Sequence, residues 1–488
     1  MLTSTPNPRN LTDSRSARLI PLSLAGIAAV LVGATMSLSL FSFLVITVLF
    51  AFALWRGRLF SVEGYVCILG LYYWLGLANP FRAEVHGVTL WPSTVATLVA
   101  LVLLGTALLL AGARVGRELA ASASGGDVPI LRERDRTTPL LVDRLYRASY
   151  VCLFLGIAVA LACYARLGVP ALANNPDSAR AEFISQLSPF TYYQWLFVEV
   201  GFALAAVTLA KDRSEEGHTR RLTLIGACAA VLVTIAGVSS RVTIGTPLVI
   251  GAVAWWSQGR RFAWPVVLLG FALGAVLVGV VWLFRIQAIG GVTLYGVDFD
   301  LGAGPFAILR SVAAALSIFA RTSIETFGLF VQGFLPKLHG EVSFMSIISL
   351  LPGKHPGLGL FRISQMLGYD AQAGTTVSLF GGMYADFGLA GVVTAAPLVG
   401  LLLGALERRA QQGDGLVGVY YGVALAYYIN MTYGGQLLDA SLLWKLWLAG
   451  IAVRYCRHGR LADTRLTTGH VISTAALYLY GGIRLILL

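Results

Sequence analysis

Apolar runs of about 20 residues recur along this chain, each long enough to cross the roughly 30 Å hydrocarbon core of a bilayer as one helix whose peptide groups satisfy one another. We place spans at 19–35, 38–55, 61–79, 90–113, 147–167, 191–210, 222–238, 242–257, 263–284, 385–406, 416–435 and 437–453. Only 12% of the 488 residues are charged, against about 25% in soluble proteins, and the mean hydropathy is +0.75. The expected fold is therefore all-α: a polytopic membrane protein with about 12 transmembrane helices, a thirteenth left open, and one large outer-face loop carrying short amphipathic helices.

A net charge of +12 would suggest nucleic acid in a soluble chain. Here it reports orientation. With the N-terminus (Arg9, Arg15, Arg18) cytoplasmic, 24 of the 36 Lys and Arg fall in cytoplasmic loops and 10 on the outer face, the asymmetry expected of a cytoplasmic side. The "RERDR" run at 132–136 is then a solvated positive-inside segment, and no nucleic-acid partner is expected. The first apolar run follows basic residues as a signal peptide would, but a second span follows almost at once, so we read it as an uncleaved helix. Cys67, Cys152, Cys163 and Cys228 fall in spans and Cys456 on the cytoplasmic side. That placement implies neither a disulfide framework nor a Cys-based metal site.

The whole chain, 1–488, reads as one membrane domain. Its larger connections are a cytoplasmic loop at 114–146, an outer loop at 168–190 and a long outer segment at 285–375. Loops of that last length are usually functional or folded. Within it, 305–336 has helical apolar spacing broken by Arg310, Arg321 and Glu325, which favours an amphipathic interfacial helix. "LLPGKHPGLG" at 350–359 is loop chemistry. The 471–488 segment is long enough to span but holds Gly481, Gly482 and Arg484, so a span and an interfacial helix both stay open. We see no internal repeat of 20–50 residues.

The chemistry concentrates at the expected outer rim. Arg180 lies in the polar stretch "ANNPDSARAEF", Arg241 follows Ser239 and Ser240 in a tight turn between spans, and Arg285 ends a span. Residues at span ends sit near headgroup depth, where a lipid-linked phosphate would lie, and a guanidinium grips phosphate oxygens through paired hydrogen bonds. Helix-end arginines also snorkel without binding anything. Base candidates on the same face are Asp177, Glu182, Glu325, His339, His355, Asp370 and Asp386. "DFD" at 298–300 has the form of a metal-holding Asp-x-Asp, but it is a single triplet on the wrong face for cytoplasmic nucleotide sugars. No His, Asp and Glu cluster has metal-ligand spacing, so neither a metal nor another cofactor is expected. Glu199, Asp439 and Lys445 lie nearest membrane depth. Asp439 and Lys445 are nearly two turns apart, so a pair between them is not assured, and a partner for Glu199 could come from a neighbouring helix.

Four stretches in this order resemble the oligosaccharide repeat-unit polymerases, the Wzy-type O-antigen polymerase family: "GVPALANNPDSARAEF", "SSRVTIGTPLVIGAVAWW", "WLFRIQAIGG", and "LLPGKHPGLG" followed by "GTTVSLFGGMYADFGLAGVV". The sequence departs from that pattern at Gly382, where relatives carry an acid two residues before the Tyr of the last motif. Asp386 is the nearest carboxylate.

The resemblance implies a membrane glycosyltransferase of the bacterial inner membrane, acting on its outer face. Its donor and acceptor are oligosaccharides linked to undecaprenyl diphosphate, and its product is O-antigen, capsule or exopolysaccharide. A chain-length regulator and a flippase are the further partners it suggests, alongside the bilayer itself. In this reading Arg180, Arg241 and Arg285 face the diphosphate, while Asp177, Ser240, Lys354 and Tyr384 make other substrate contacts. The catalytic acid or base is sought among His355, Asp386 and Glu182. Two rival readings stay open: an O-antigen ligase or other polyprenyl-phosphate glycosyltransferase, which differs in the acceptor, and a transporter or flippase of lipid-linked glycans, for which substrate sites near the midplane would be expected.

Overall fold

The computed structural model describes residues 59–79, 85–87, 90–122, 139–173, 179, 182–183, 188–212, 214, 217–238, 241–260, 293–294, 297–298, 305–348, 359–368, 375–412 and 416–458. Twelve helices are found among these residues: α1 Val62–Ala78, α2 Pro92–Ser122, α3 Pro139–Leu167, α4 Ser188–Lys211, α5 His218–Ala236, α6 Arg241–Ser257, α7 Pro305–Val331, α8 Met345–Ile348, α9 Leu360–Met366, α10 Leu379–Gln411, α11 Val417–Gly434 and α12 Ala440–His458. A 3-10 turn at Pro170–Leu172 and a two-residue antiparallel pair, β1 Thr293–Leu294 with β2 Val297–Asp298, complete them. The nine spans expected between 61 and 257 and after 385, the run at 263–284 set aside, each coincide with a helix. By length and composition, α2, α3, α5, α7 and α10 can each cross a membrane, and α1 and α6 are shorter apolar helices. The runs at 19–35, 38–55, 263–284 and 471–488 lie outside the described residues.

Local chemistry sets the ends. Ser61 caps α1, its Oγ accepting the Gly64 N–H at 3.2 Å, and Asn79 closes the helix in the left-handed region (φ 41°, ψ 57°). Pro92 opens α2, where no N–H is needed. Ser378 caps α10 by accepting the Gly381 N–H at 3.3 Å, and the Tyr73 hydroxyl donates to the same Ser378 oxygen at 2.9 Å.

The closest helix pair is α2 with α10, which run parallel. Gly112 and Gly116 of α2 meet the main chain of Pro397 and Leu401, and Gly400 and Gly404 of α10 meet that of Leu109 and Ala113. A Cβ at any of the four would collide with a carbonyl oxygen. Two G-x-x-x-G segments thus face each other, as in membrane helix pairs where close approach replaces hydrophobic transfer as the source of attraction. One apolar core joins α1, α2, α3, α4, α6, α7, α9, α10, α11 and α12, and a smaller one joins α3, α4 and α5.

The two ends of the bundle differ in charge. At one end Arg117 bridges Glu63 of α1 (2.7 Å) and Glu407 of α10 (2.8 Å). The Tyr421 hydroxyl donates to Phe60 O, Arg260 donates to Ala210 O and Arg144 to Cys456 O, so the α3, α11 starts and the α4, α6, α12 ends gather there with their arginines. The opposite end carries the C-terminus of α1, the N-termini of α2, α10 and α12, and Asp386.

α7 occupies the segment 305–336 expected to form an amphipathic interfacial helix, and its partners are residues at the Asp386 end of its neighbours: Arg321 donates to Gly76 O, Phe319 packs on Tyr433 and Phe327 on Tyr384. It is a single helix packed against α1, α2, α10 and α11. Arg310 is exposed, whereas the other two charges of α7 are partnered. Arg321 pairs with Glu325 one turn on and donates to Gly76 O at 3.3 Å, and Glu325 accepts the His86 N–H at 3.1 Å. Paired in this way, charges can be enclosed where a lone one could not.

Candidate functional site

At the Asp386 end a strap of chain, 332–344, runs from α7 across the start of α10. Asp386 is 1% exposed and takes two main-chain donors from the strap, Val342 N–H at 3.1 Å and Ser343 N–H at 2.6 Å. Leu338 N–H donates to Ala385 O at 3.0 Å, and Leu438 N–H donates to Ser343 O at 3.0 Å. The strap is therefore stitched to both α10 and the start of α12, where Asp439 caps the helix by accepting the Ser441 N–H and hydroxyl. With both oxygens holding the main chain, Asp386 is built to position this segment.

Lys337, in the same strap, lies over the Tyr384 ring at 3.6 Å from its centroid and donates to Tyr384 O at 2.9 Å. Burial lowers its pKa below the ordinary lysine value. Tyr384 also packs against Phe327 of α7, ring centroids 5.7 Å apart. Four residues on, Gly388 breaks α10 with φ 63° and ψ −149°, a conformation open to glycine alone. At the same end lie the Arg321–Glu325 pair and His86, whose Nε2 is 3.1 Å from Thr326 Oγ1. Burial first, then the nearby Arg321 charge, hold His86 below the usual histidine pKa. Glu341 pairs with Arg362 of α9, and His339 is exposed with a positive φ of 51°.

A second polar region lies at the same end. Ala171 N–H donates to Gly237 O at 2.9 Å, which ties the Pro170 turn to the turn before α6. Phe183 is buried against Tyr164, Cys163 and Val238, and Glu182 beside it is exposed. Arg241 is the first residue of α6. Asn430 of α11 donates to Thr246 of α6 at 2.8 Å, and α11 ends at Gly435, against Val377 and Gly382. This register sets the start of α6 at the same end of the bundle as the start of α10.

Of the residues singled out in the sequence, the structure brings Tyr384, Asp386, Glu182 and the main chain of Arg241 to one end. Asp177, Arg180, Ser240, Arg285, Lys354, His355 and Asp370 lie outside the described residues. Glu199 and Lys445 form a buried pair with each other (2.8 Å). Sequence reasoning passed over Lys337 and His86. Lys337 had one usable signal: it is one of only four lysines in the chain. It also passed over the facing G-x-x-x-G segments, which are legible at 112–116 and 400–404. Among the described residues, no three His, Cys, Asp or Glu side chains stand close enough to hold a metal ion.

No curated protein and no solved structure matches the chain. It does match the family model described as "Putative O-antigen polymerase", over residues 58–443. That match runs from just before α1 into α12, and the chain belongs to the O-antigen polymerase family.

Proposed function

We propose that this membrane polymerase of O-antigen repeat units uses units carried on undecaprenyl diphosphate and joins them on the outer face of the inner membrane, the face on which the Asp386 end lies. The observation that carries the reading is the family match over 58–443. The gathering of arginines at the opposite end supports the orientation, since positive loops stay cytoplasmic.

In this reaction a hydroxyl of the acceptor repeat unit attacks C1 of the sugar at the donor's lipid end. The C1–O bond breaks, undecaprenyl diphosphate leaves with the electron pair, and a base takes the hydroxyl proton. Negative charge grows on the leaving phosphate, and fixed cationic donors stabilise it, one well-placed donor contributing about 3–4 kcal/mol. Arg180, Arg241 and Arg285 are assigned to that task. Asp177, Ser240, Lys354 and Tyr384 are assigned to other substrate contacts, and Glu182 and His355 are the base candidates. Asp386, its oxygens held by Val342 and Ser343, positions the strap.

The test is glycan length after incubating the purified, reconstituted protein with undecaprenyl-diphosphate repeat units from its own host, beside Arg241→Ala. A ladder of lengths that collapses in the variant is the expected result. Transfer of one finished glycan to another acceptor, or movement of the intact unit across the bilayer, would overturn it.

A further inference from the structure

Among the described residues, two arginines of the Asp386 end and one lysine below it are matched to carboxylates. Arg321 has Glu325, Arg362 has Glu341 and, deeper in the bundle, Lys445 has Glu199. Lys337 has no carboxylate within ion-pair distance among the described residues. Its ammonium is nevertheless held firmly: Tyr384 supplies a ring face and a carbonyl oxygen, and Gly388 lies so near that a Cβ there would stand 3.8 Å from Nζ.

An ammonium has three donors, of which Tyr384 takes one. The aromatic face favours the charged form, yet half-burial without a counter-charge is unfavourable, so the group is poised to gain from an anion. The surroundings narrow the anion's nature. Phe387 and Leu389, on either side of the α10 break, are 46% and 52% exposed, and Phe334, three residues before Lys337, is 60% exposed against Trp91. A single cation among exposed apolar side chains suits an anion that carries a hydrophobic tail better than a free ion.

We propose that Lys337 is a phosphate-binding residue, its ammonium contacting a phosphoryl oxygen of an isoprenoid-linked diphosphate at the break in α10. The assignment rests on the polymerase reading above and adds a lysine to the arginines named there. Lysine suits the task as a compact point charge on a flexible stem, able to follow the phosphate as the glycosidic bond changes.

The experiment measures binding of undecaprenyl diphosphate to the full chain in phosphatidylcholine nanodiscs, for wild type, Lys337→Gln and Lys337→Arg. Gln retains a donor for Tyr384 O but no charge. The expected result is tenfold or greater weakening in Lys337→Gln, threefold or less in Lys337→Arg, and little competition from phosphatidylglycerol at equal mole fraction. Equal affinity in wild type and a folded Lys337→Gln would overturn the assignment. Displacement by phosphatidylglycerol as effective as by undecaprenyl diphosphate would also overturn it, and give Lys337 to bulk headgroups. If Lys337→Gln does not fold, a folded Lys337→Arg with wild-type affinity supports the site and one weakened tenfold contradicts it. Wild type that binds no undecaprenyl diphosphate sinks the carrier reading itself, an outcome distinct from wild type that binds while Lys337→Gln binds equally.

Discussion

Lys445 of α12 and Glu199 of α4 meet as a buried ion pair, Nζ standing 2.8 Å and 3.0 Å from the two carboxylate oxygens across 246 positions of sequence. Removing one member leaves the other charged and enclosed, which costs about 3–5 kcal/mol, whereas replacing both by apolar groups of similar volume is far less costly. Glu199→Ala and Lys445→Ala should each lower the unfolding midpoint in detergent sharply, and Glu199→Leu with Lys445→Met much less. Single variants as stable as wild type would show that the pair contributes nothing.

Asp386 governs the strap. In Asp386→Asn one carboxylate oxygen becomes an NH2 group facing a main-chain N–H, so one of the two bonds to Val342 and Ser343 is lost and a donor is left opposed. The local cost is about 2–3 kcal/mol. Hydrogen exchange at Val342 and Ser343 should accelerate, and polymerisation should fall with it. Unchanged exchange would count against the positioning role.

The α2 and α10 contact tolerates no side chain at its glycines. Gly112→Ala and Gly400→Ala each place a Cβ against a carbonyl oxygen, and such overpacking costs about 1–3 kcal/mol or more. Gly226 of α5 has open space at its Cβ position. Gly226→Ala should therefore be neutral or stabilising by roughly 0.4–1 kcal/mol. Thermal unfolding of the three variants side by side decides it; equal effects would refute the close-approach argument.

His86 should make the fold acid-sensitive. Its folded pKa lies below the ordinary 6.5 because of burial and the Arg321 charge, so as the pH falls the unfolded chain takes up the proton first. Stability is insensitive to this group above about pH 6.5 and declines from there down through the lower folded value. The unfolding midpoint should drop between pH 7 and pH 5 in wild type and less so in His86→Gln. Parallel pH profiles would exclude His86 as the cause.

The helices were legible in the sequence because their determinants are local. A bilayer requires each peptide group to find a partner within a few residues, so apolar length alone marks α1, α2 and α10 without knowledge of any neighbour, though α10 begins at Leu379, ahead of the apolar run expected from 385. The charge asymmetry between the ends and the family motifs were legible for the same reason: they are read by position along the chain. The partners of α7 were not legible, because Arg321 and Glu325 count as separate charges in a sequence and as an ion pair in the fold. What only the tertiary structure decided are the relations between distant segments: Glu199 with Lys445, Arg117 with Glu63 and Glu407, and Lys337 on Tyr384. No periodicity encodes these, because each partner is chosen by which helices pack together. That choice depends on glycine contacts and buried polar groups whose energies exist only once the bundle has formed.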